Sequence, residues 1–364
     1  MAAISATERR RLFTKKLQDT YREMIKPTGF LSSMFQLRTQ TARDISYEVR
    51  RGFERVAEDV SRGTEGNRNT FGQFTEKVIQ PPYFREYFDA TDLSYYDQYF
   101  GQGDMEVEPA QMVDFIQEAT EKIELMRDKI ERKKELMASQ VLQTGVVTLK
   151  NAQNIDFRRK GTSLVDLGTN NYWDDTDVNP ITSIEAGCNV LRQVGKSPDG
   201  EFNMILGAKA FNSLVTNDEI RSRSDLKQVQ LIELNLPQRM APAVGAVLQG
   251  ILAAGSYRVI VWTYPQFFDD KDNGNASTPY IGERKMILLP KVPQFRYYHG
   301  GLPQIVRDRA NAEFAGFMRQ VRGEYMIGNY IDEESERHVV DIKSAPVPVP
   351  VAVDQMYTAD VTTA

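Results

Sequence analysis

Between Ala110 and Gln143 the chain carries apolar residues at helical spacing for 34 positions. Met112, Ile116, Ala119, Ile123, Met126, Ile130, Met137 and Val141 follow one another at steps of four, three, four, three, four, seven and four. That is a single stripe along one face of a helix. Pro109 suits the first helical position and Gly145 the stop. Glu118 with Lys122, and Asp128 with Arg132, are spaced for support one turn apart. Such a helix would be about 50 Å long, against roughly 11–12 residues for an ordinary one. A helix of this length must serve as a spine for other elements or as half of a coiled coil. Only about four heptads are available, and Lys133-Lys134 interrupts one of them, so the spine is the preferred reading.

The rest of the composition narrows the classes. With 364 residues the chain has room for two or three domains at roughly 150 residues each. Hydrophobic residues make up 41% and charged residues 26%, enough to build a real core. Cys188 is the single cysteine, so neither an intramolecular disulfide nor a cysteine zinc site can form. His299 and His338 are the two histidines and stand far apart in sequence, which removes most histidine-based metal and acid–base chemistry. No apolar run reaches the roughly 18 residues needed to span a bilayer. Arg9-Arg10-Arg11 has no apolar segment behind it of the kind a signal peptide needs. A reducing, soluble compartment is the expected setting.

The net charge of −5 argues against a whole-chain nucleic-acid binder. It is unevenly spread. Residues 1–62 hold 13 Lys and Arg against 8 Asp and Glu, ahead of an acidic body. Two readings of that basic portion stay open, a solvated arm and an arm that contacts an acidic neighbour.

Motifs for chemistry are missing. The sequence has no Gly-x-x-x-x-Gly-Lys-Ser/Thr, no Gly-x-Gly-x-x-Gly and no Gly-x-Ser-x-Gly. Asp269-Asp270-Lys271-Asp272-Asn273-Gly274 fails the calcium-loop count, since Ile281 stands at position twelve from Asp270. It reads as part of a solvated loop over Asp269–Pro279. Asp174-Asp175-Thr176-Asp177 and Asp332-Glu333-Glu334 lack the apolar shielding that would raise a carboxyl for acid catalysis. His299-Gly300-Gly301 without a nucleophile elbow reads as a turn. Cys188 falls on the apolar stripe of a helix begun by Asn179-Pro180, which makes it a core residue. Catalytic, cofactor and metal residues are therefore assigned to none.

The remaining patterns give an order of parts. Residues 8–25 look helical, and Leu31 to Phe35 form an apolar anchor rather than a helix. Ile45, Tyr47 and Val49 alternate with polar residues as a half-buried strand, and another strand is expected to include Val56 and Val60. Arg62 to Thr70 is a polar, glycine-bearing hairpin tip, and Phe71 to Ile79 the return strand, closed by Pro81-Pro82. Residues 83–104 hold eight aromatics among acidic side chains, which fits packing rather than base stacking. After the spine come short strands at Val146–Leu149, Ile155–Phe157 and Ser163–Leu167. Residues 180–330 then alternate helix and strand around one core, with strands at Phe202–Leu206, Tyr257–Thr263 and Met286–Leu289 and a small apolar run at Val244–Ala254.

That order of parts resembles the major capsid proteins of tailed bacteriophages with the Hong Kong 97-type fold, and more narrowly the phage lambda major head protein family. The resemblance is carried by Phe30-Leu31-Ser32-Ser33-Met34-Phe35 and Gly63-Thr64-Glu65-Gly66-Asn67-Arg68-Asn69. Ile79-Gln80-Pro81-Pro82-Tyr83-Phe84, Leu142-Gln143-Thr144-Gly145-Val146-Val147 and Ile155-Asp156-Phe157 add to it. So do Trp173 before Asn179-Pro180 and the tail Ser344-Ala345-Pro346-Val347-Pro348-Val349. No one of these is specific. Their order covers nearly the whole chain, with 1–28 and 264–284 matching poorly.

The resemblance implies an α+β fold divided into an N-terminal arm at 1–35, an extended β-hairpin loop at 36–90 and a peripheral domain at 91–179 with the spine helix 110–143. A mixed α/β axial domain follows at 180–330, and a C-terminal strand at 331–364 returns to the peripheral domain. It implies a non-enzymatic major head protein that self-assembles through hexamers and pentamers into an icosahedral shell around double-stranded DNA, without sequence-specific binding. Portal and scaffold proteins, and a decoration protein, are the implied partners. No membrane is involved, and the setting is the virion, assembled in the host cytoplasm. Arg50, Glu54, Arg55, Arg62, Arg68, Phe71 and Phe74 of the extended loop are the expected contacts between subunits. Pro346, Pro348 and Pro350 recur every second residue, so their missing N–H donors lie along one strand edge. Two other classes stay open from the residues alone: a tail-tube or filament protein, and a cytoplasmic enzyme with an unrecognised carboxylate site.

Overall fold

The structure is a computed structural model. It describes residues 27–50, 74–91, 109–150, 154–175, 177–221, 245–270, 274, 276–306, 317–332 and 337–363. The expected helix at 8–25, the strand with Val56 and Val60, the tip at Arg62–Thr70 and the aromatic stretch 92–104 lie outside the described residues.

The spine helix runs Pro109–Thr144, 36 residues. It stops where Gly145 adopts φ +77° and donates its N–H to the Val141 carbonyl at 2.9 Å, a left-handed cap that glycine takes without strain. In its C-terminal half Ile130, Met137, Ala138, Val141 and Leu142 all sit in the core. The interruption at Lys133-Lys134 is filled rather than empty. Lys134 lays its stem in the core, pairs with Glu131 at 3.1 Å and sets its ammonium over the rings of Tyr297 and Tyr325.

Beside the spine lies a six-stranded mixed sheet. Its order is Leu164–Asp166, Tyr357–Asp360, Lys285–Pro290, Glu201–Leu206, Tyr257–Thr263 and Val247–Ala254. Both faces of the central strands Lys285–Pro290, Glu201–Leu206 and Tyr257–Thr263 are buried, so these strands read as near-continuous apolar runs. Phe202, Met204, Val259, Val261, Met286 and Leu288 face one cluster, which also holds Ile184, Cys188 and Leu191 of the helix Pro180–Gln193 and Leu214 of the helix Ala208–Thr216. Ile205, Ile260, Trp262, Ile287 and Leu289 face the other cluster, shared with Met137, Val141 and Leu142 of the spine. The apolar residues of 180–330 therefore gather in two main cores, with Leu302 and Met326 in a small third cluster, rather than in the single core expected. Alternation at period two sends successive side chains to opposite faces.

Two smaller sheets also pack on the spine. In one, Phe84–Thr91, Arg337–Ser344 and Met326–Asp332 are antiparallel neighbours. In the other, Gln36–Thr39 runs parallel to Phe295–His299, which pairs antiparallel with Pro346–Pro350. The chain from 331 onward thus contributes to three sheets, its last strand Tyr357–Asp360 lying inside the large one.

Three expectations need correction. Leu31–Phe35 is an anchor but begins as one helical turn, Phe30–Ser33. Asp269–Pro279 is a hairpin, with Phe267–Asp270 paired to Ala276–Pro279. Its polar middle hid the apolar root, where Phe268 meets Tyr280 at 5.1 Å between ring centres. Val244–Ala254, read only as a small apolar run, contains the strand Val247–Ala254. The N-cap came out as its residues predict: Asn179 accepts the Ile181 N–H at 3.0 Å, with Pro180 at the first position.

Candidate assembly elements

The described arms of the extended hairpin are Ile45–Arg50 and Phe74–Ile79, paired from Ile45 opposite Ile79 to Arg50 opposite Phe74. They form a two-stranded sheet with no third strand among the described residues. Arg50 and Phe74 therefore stand opposite each other at the outer end of the described ladder. Glu54, Arg55, Arg62, Arg68 and Phe71 lie outside the described residues.

The root of this hairpin is fixed by a pair of glycines. Gly301 donates its N–H to the Ala42 carbonyl at 2.9 Å, and Gly300 donates to Ala345 at 2.9 Å. The Thr41 backbone packs on the α-carbon of Gly301, and the ring of Pro81 on that of Gly300, where a side chain would collide. His299-Gly300-Gly301 is therefore the link on which both ends of the hairpin sit, a role its sequence did not reveal. His299 itself is fully buried. Burial, then the nearby Lys134 ammonium, lowers its imidazole to about 4.

Pro346, Pro348 and Pro350 lie on the outermost strand of the three-stranded sheet, opposite His299, Tyr297 and Phe295. Prolines cannot donate, so the ladder N–H groups must come from Val347 and Val349. All five residues of this strand are buried, and Val347 and Val349 belong to the spine cluster.

The segment before the hairpin is docked by a buried carboxylate. Glu135 of the spine is 1% exposed. Its Oε1 accepts the Leu31 N–H at 2.7 Å and the Tyr264 hydroxyl at 2.9 Å, and its Oε2 accepts the Ser32 N–H at 2.9 Å. Burial raises its carboxyl above the ordinary range, against the pull of these donors. Around it Phe30, Leu31, Met34 and Phe35 are buried, Phe30 beside Trp262 and Tyr264 and Phe35 beside Phe295.

Two further charged groups tie the elements together. Arg159 donates to the carbonyls of Leu142 at 2.9 Å, Ser163 at 2.8 Å and Met356 at 3.1 Å, and to the Thr358 hydroxyl at 3.1 Å. It thereby caps the end of the spine. Asp341, fully buried, pairs with Arg85 of the adjacent strand at 2.7 Å and with Lys343 of its own strand at 3.3 Å. Neither announces itself in sequence: Arg159 is one of two consecutive arginines after a short strand, and Asp341 looks like any polar residue on an alternating one. Glu135 carries a weak signal, standing seven residues before the buried Leu142 on the spine.

Chemistry is sparse. Among the described residues no three His, Cys, Asp or Glu side chains are grouped to hold a metal. Cys188 is buried and its thiol is pushed up to about 12, chiefly by burial. Asp174 is taken up by structure, accepting the N–H of Thr363 at 3.2 Å and its hydroxyl at 2.5 Å. No described helix is long and apolar enough to cross a membrane. What the described arrangement provides is a set of extended elements fixed at their roots around a long helix.

Comparison with known proteins agrees. The family model of phage major capsid protein E matches residues 13–361. The chain belongs to that family, and it is a shell-forming capsid protein. A crystal structure of the putative capsid protein of a prophage of E. coli CFT073 is similar over 100% of both chains, at 17% identity and a TM-score of 0.58. The fold is thus the mixed α+β capsid fold of the Hong Kong 97 type. A phage-related protein from Bordetella bronchiseptica RB50 is similar over 96% of both chains at 10% identity and a TM-score of 0.46. The capsid of cyanophage P-SCSP1u is similar over 95% of this chain and 91% of that one, at 12% identity and a TM-score of 0.46. None of the curated proteins compared with the chain matches it.

Proposed function

We propose that copies of this chain join as hexamers and pentamers into an icosahedral head that encloses double-stranded DNA. The extended hairpin makes the principal contact between neighbours. The observation that carries this reading is the two-stranded ladder from Ile45–Ile79 to Arg50–Phe74, fixed at its root and without a third strand among the described residues. A two-stranded hairpin is marginal in water by itself. A neighbouring copy supplies the surface it lacks, with Arg50, Glu54, Arg55, Arg62, Arg68, Phe71 and Phe74 at the contact. Pro346, Pro348 and Pro350 leave the buried C-terminal strand without proline N–H groups that would need a partner.

On this reading the chain is divided into arm, extended loop, peripheral domain, axial domain and returning C-terminal strand at 1–35, 36–90, 91–179, 180–330 and 331–364. Portal and scaffold proteins, and a decoration protein, are the partners, and assembly takes place in the host cytoplasm before the virion is released. The protein acts without catalysis.

The test is negative-stain electron microscopy of the chain expressed alone and together with its neighbouring phage genes. Closed shells of uniform diameter are expected. Small, dispersed particles under both conditions would overturn the reading, and tubes would point to a tail or filament protein instead.

A further inference from the structure

The contacts of Glu135 imply more than a fixed anchor. Three of its features are unusual together. It is almost completely buried, it forms no ion pair among the described residues, and its hydrogen-bond donors come from outside its own helix. Two of the three donors are backbone N–H groups of the short N-terminal turn, Leu31 and Ser32. The third, the Tyr264 hydroxyl, is also hydrogen-bonded to Thr28 of the same segment, at 2.5 Å to its hydroxyl. When residues 27–35 leave the spine, Glu135 loses the Leu31 and Ser32 N–H donors and gains water in the same movement. A carboxyl group that exchanges water for a buried site must change its proton affinity on the way.

We infer that Glu135 is a proton-linked latch for the N-terminal segment, which seats with residues 27–35 on the spine and lifts from it as a unit while the rest of the fold stays closed. The segment's Phe30, Leu31, Met34 and Phe35 are buried, so the lifted state is a minor one, but its far end is held less firmly. Its continuation, Gln36–Thr39, is an outermost strand paired on one side only, with Phe295–His299. Elements on the margin of a core open more readily than those inside it.

The charged and titratable groups that face Glu135 are few. Tyr264, Tyr280 and Tyr297 surround it from the strands, and burial raises all three hydroxyls above their usual value. They therefore stay neutral throughout the working range. On its own helix Glu131, Arg132 and Lys134 are the nearest charges, Lys134 being taken up by Glu131 and the two tyrosine rings. Between the ordinary carboxyl range and the raised value of the docked state, the seated segment binds a proton that the lifted one releases. Seating is accordingly tighter at acid pH and weakens as pH rises through that window.

The test is hydrogen exchange of the full-length, unassembled chain from pH 4.5 to 8, corrected for intrinsic exchange rates. The opening constant of the Leu31 and Ser32 amides should rise with pH, by at most about tenfold per unit, and then level off. The amides of Val141 and Leu142 on the same helix serve as the control for global opening. In Glu135→Gln the rise should vanish, because the site no longer titrates. Should that variant fold poorly, Tyr264→Phe removes one donor to the ionised form and should move the midpoint to higher pH. Equal pH profiles for both pairs of amides, a slope that persists in Glu135→Gln, or an unmoved midpoint in Tyr264→Phe would each overturn the latch.

Discussion

Gly301 and Thr41 meet at the root of the extended hairpin with no room between them for a β-carbon. The Gly301 N–H reaches the neighbouring Ala42 carbonyl at 2.9 Å, so the contact is backbone against backbone and neither side can rotate away. Gly301→Ala should therefore destabilise the chain by about 1–3 kcal/mol, the cost of overpacking a close contact. Urea unfolding measures the loss. Assembly into shells should fall more than stability does, because the displaced element is the one proposed to reach a neighbour.

Arg159 is half-buried, forms no ion pair with a carboxylate among the described residues, and holds three carbonyls and a hydroxyl. Arg159→Met keeps the bulk and loses the donors, and should cost about 3 kcal/mol. Arg159→Lys should recover only part of this, since a single ammonium cannot reach acceptors spread over a planar fork. The difference between the two variants in denaturant midpoint checks the assignment.

His299 makes stability depend on pH. Its folded value is lowered from 6.5 to about 4 by burial and by Lys134. Between those values the unfolded chain binds a proton that the native state refuses. The stabilisation is complete above about pH 6.5 and is lost as pH falls toward 4, by up to about 3 kcal/mol. Glu135 acts with the opposite sign, since its folded value is raised. Urea midpoints from pH 7.5 to 4.5 should show a smaller acid loss in His299→Gln than in the unaltered chain.

The last strand, Tyr357–Asp360, is hydrogen-bonded on both sides, to Lys285–Pro290 and to Leu164–Asp166. Removing residues 357–364 should unpair two strands and leave an insoluble or unfolded chain. Removing only 363–364 loses the contacts of Thr363 with Asp174 and should cost about 1 kcal/mol. Soluble yield and circular dichroism distinguish the two outcomes.

Cys188 offers a probe of the core. Its thiol is buried and pushed up to about 12, so thiolate is scarce at neutral pH. A thiol reagent should react slowly with the native chain and at an ordinary rate in denaturant. Fast labelling of the folded protein would show that the helix Pro180–Gln193 opens locally.

Much of the fold was legible in local sequence. The stripe from Met112 to Val141, with Pro109 before it and Gly145 after it, set the spine to within a residue or two, because a helix writes its buried face at period 3.6. Asn179-Pro180 marked a helix start, and the alternation of Ile45, Tyr47 and Val49 marked a strand. These signals are local because caps and alternation act over a few residues. The hairpin at Phe267–Asp270 and Ala276–Pro279 was missed, since its pairing depends on Phe268 meeting Tyr280 rather than on its polar middle.

The sequence by itself determined the spine, the alternating strands, the poverty of chemical motifs and, through the order of its parts, the kinship with phage head proteins. Only the tertiary structure decided which polar residues would be buried and what they would hold. Glu135, Arg159, His299 and Asp341 look like surface residues in the sequence. Each became a junction because the segment that satisfies or surrounds it lies far along the chain: Leu31 for Glu135, Met356 for Arg159, Lys134 for His299 and Arg85 for Asp341. Periodicity reports which side of an element faces inward. It carries no record of the partner that arrives there, because that partner is chosen by the packing of whole elements against one another.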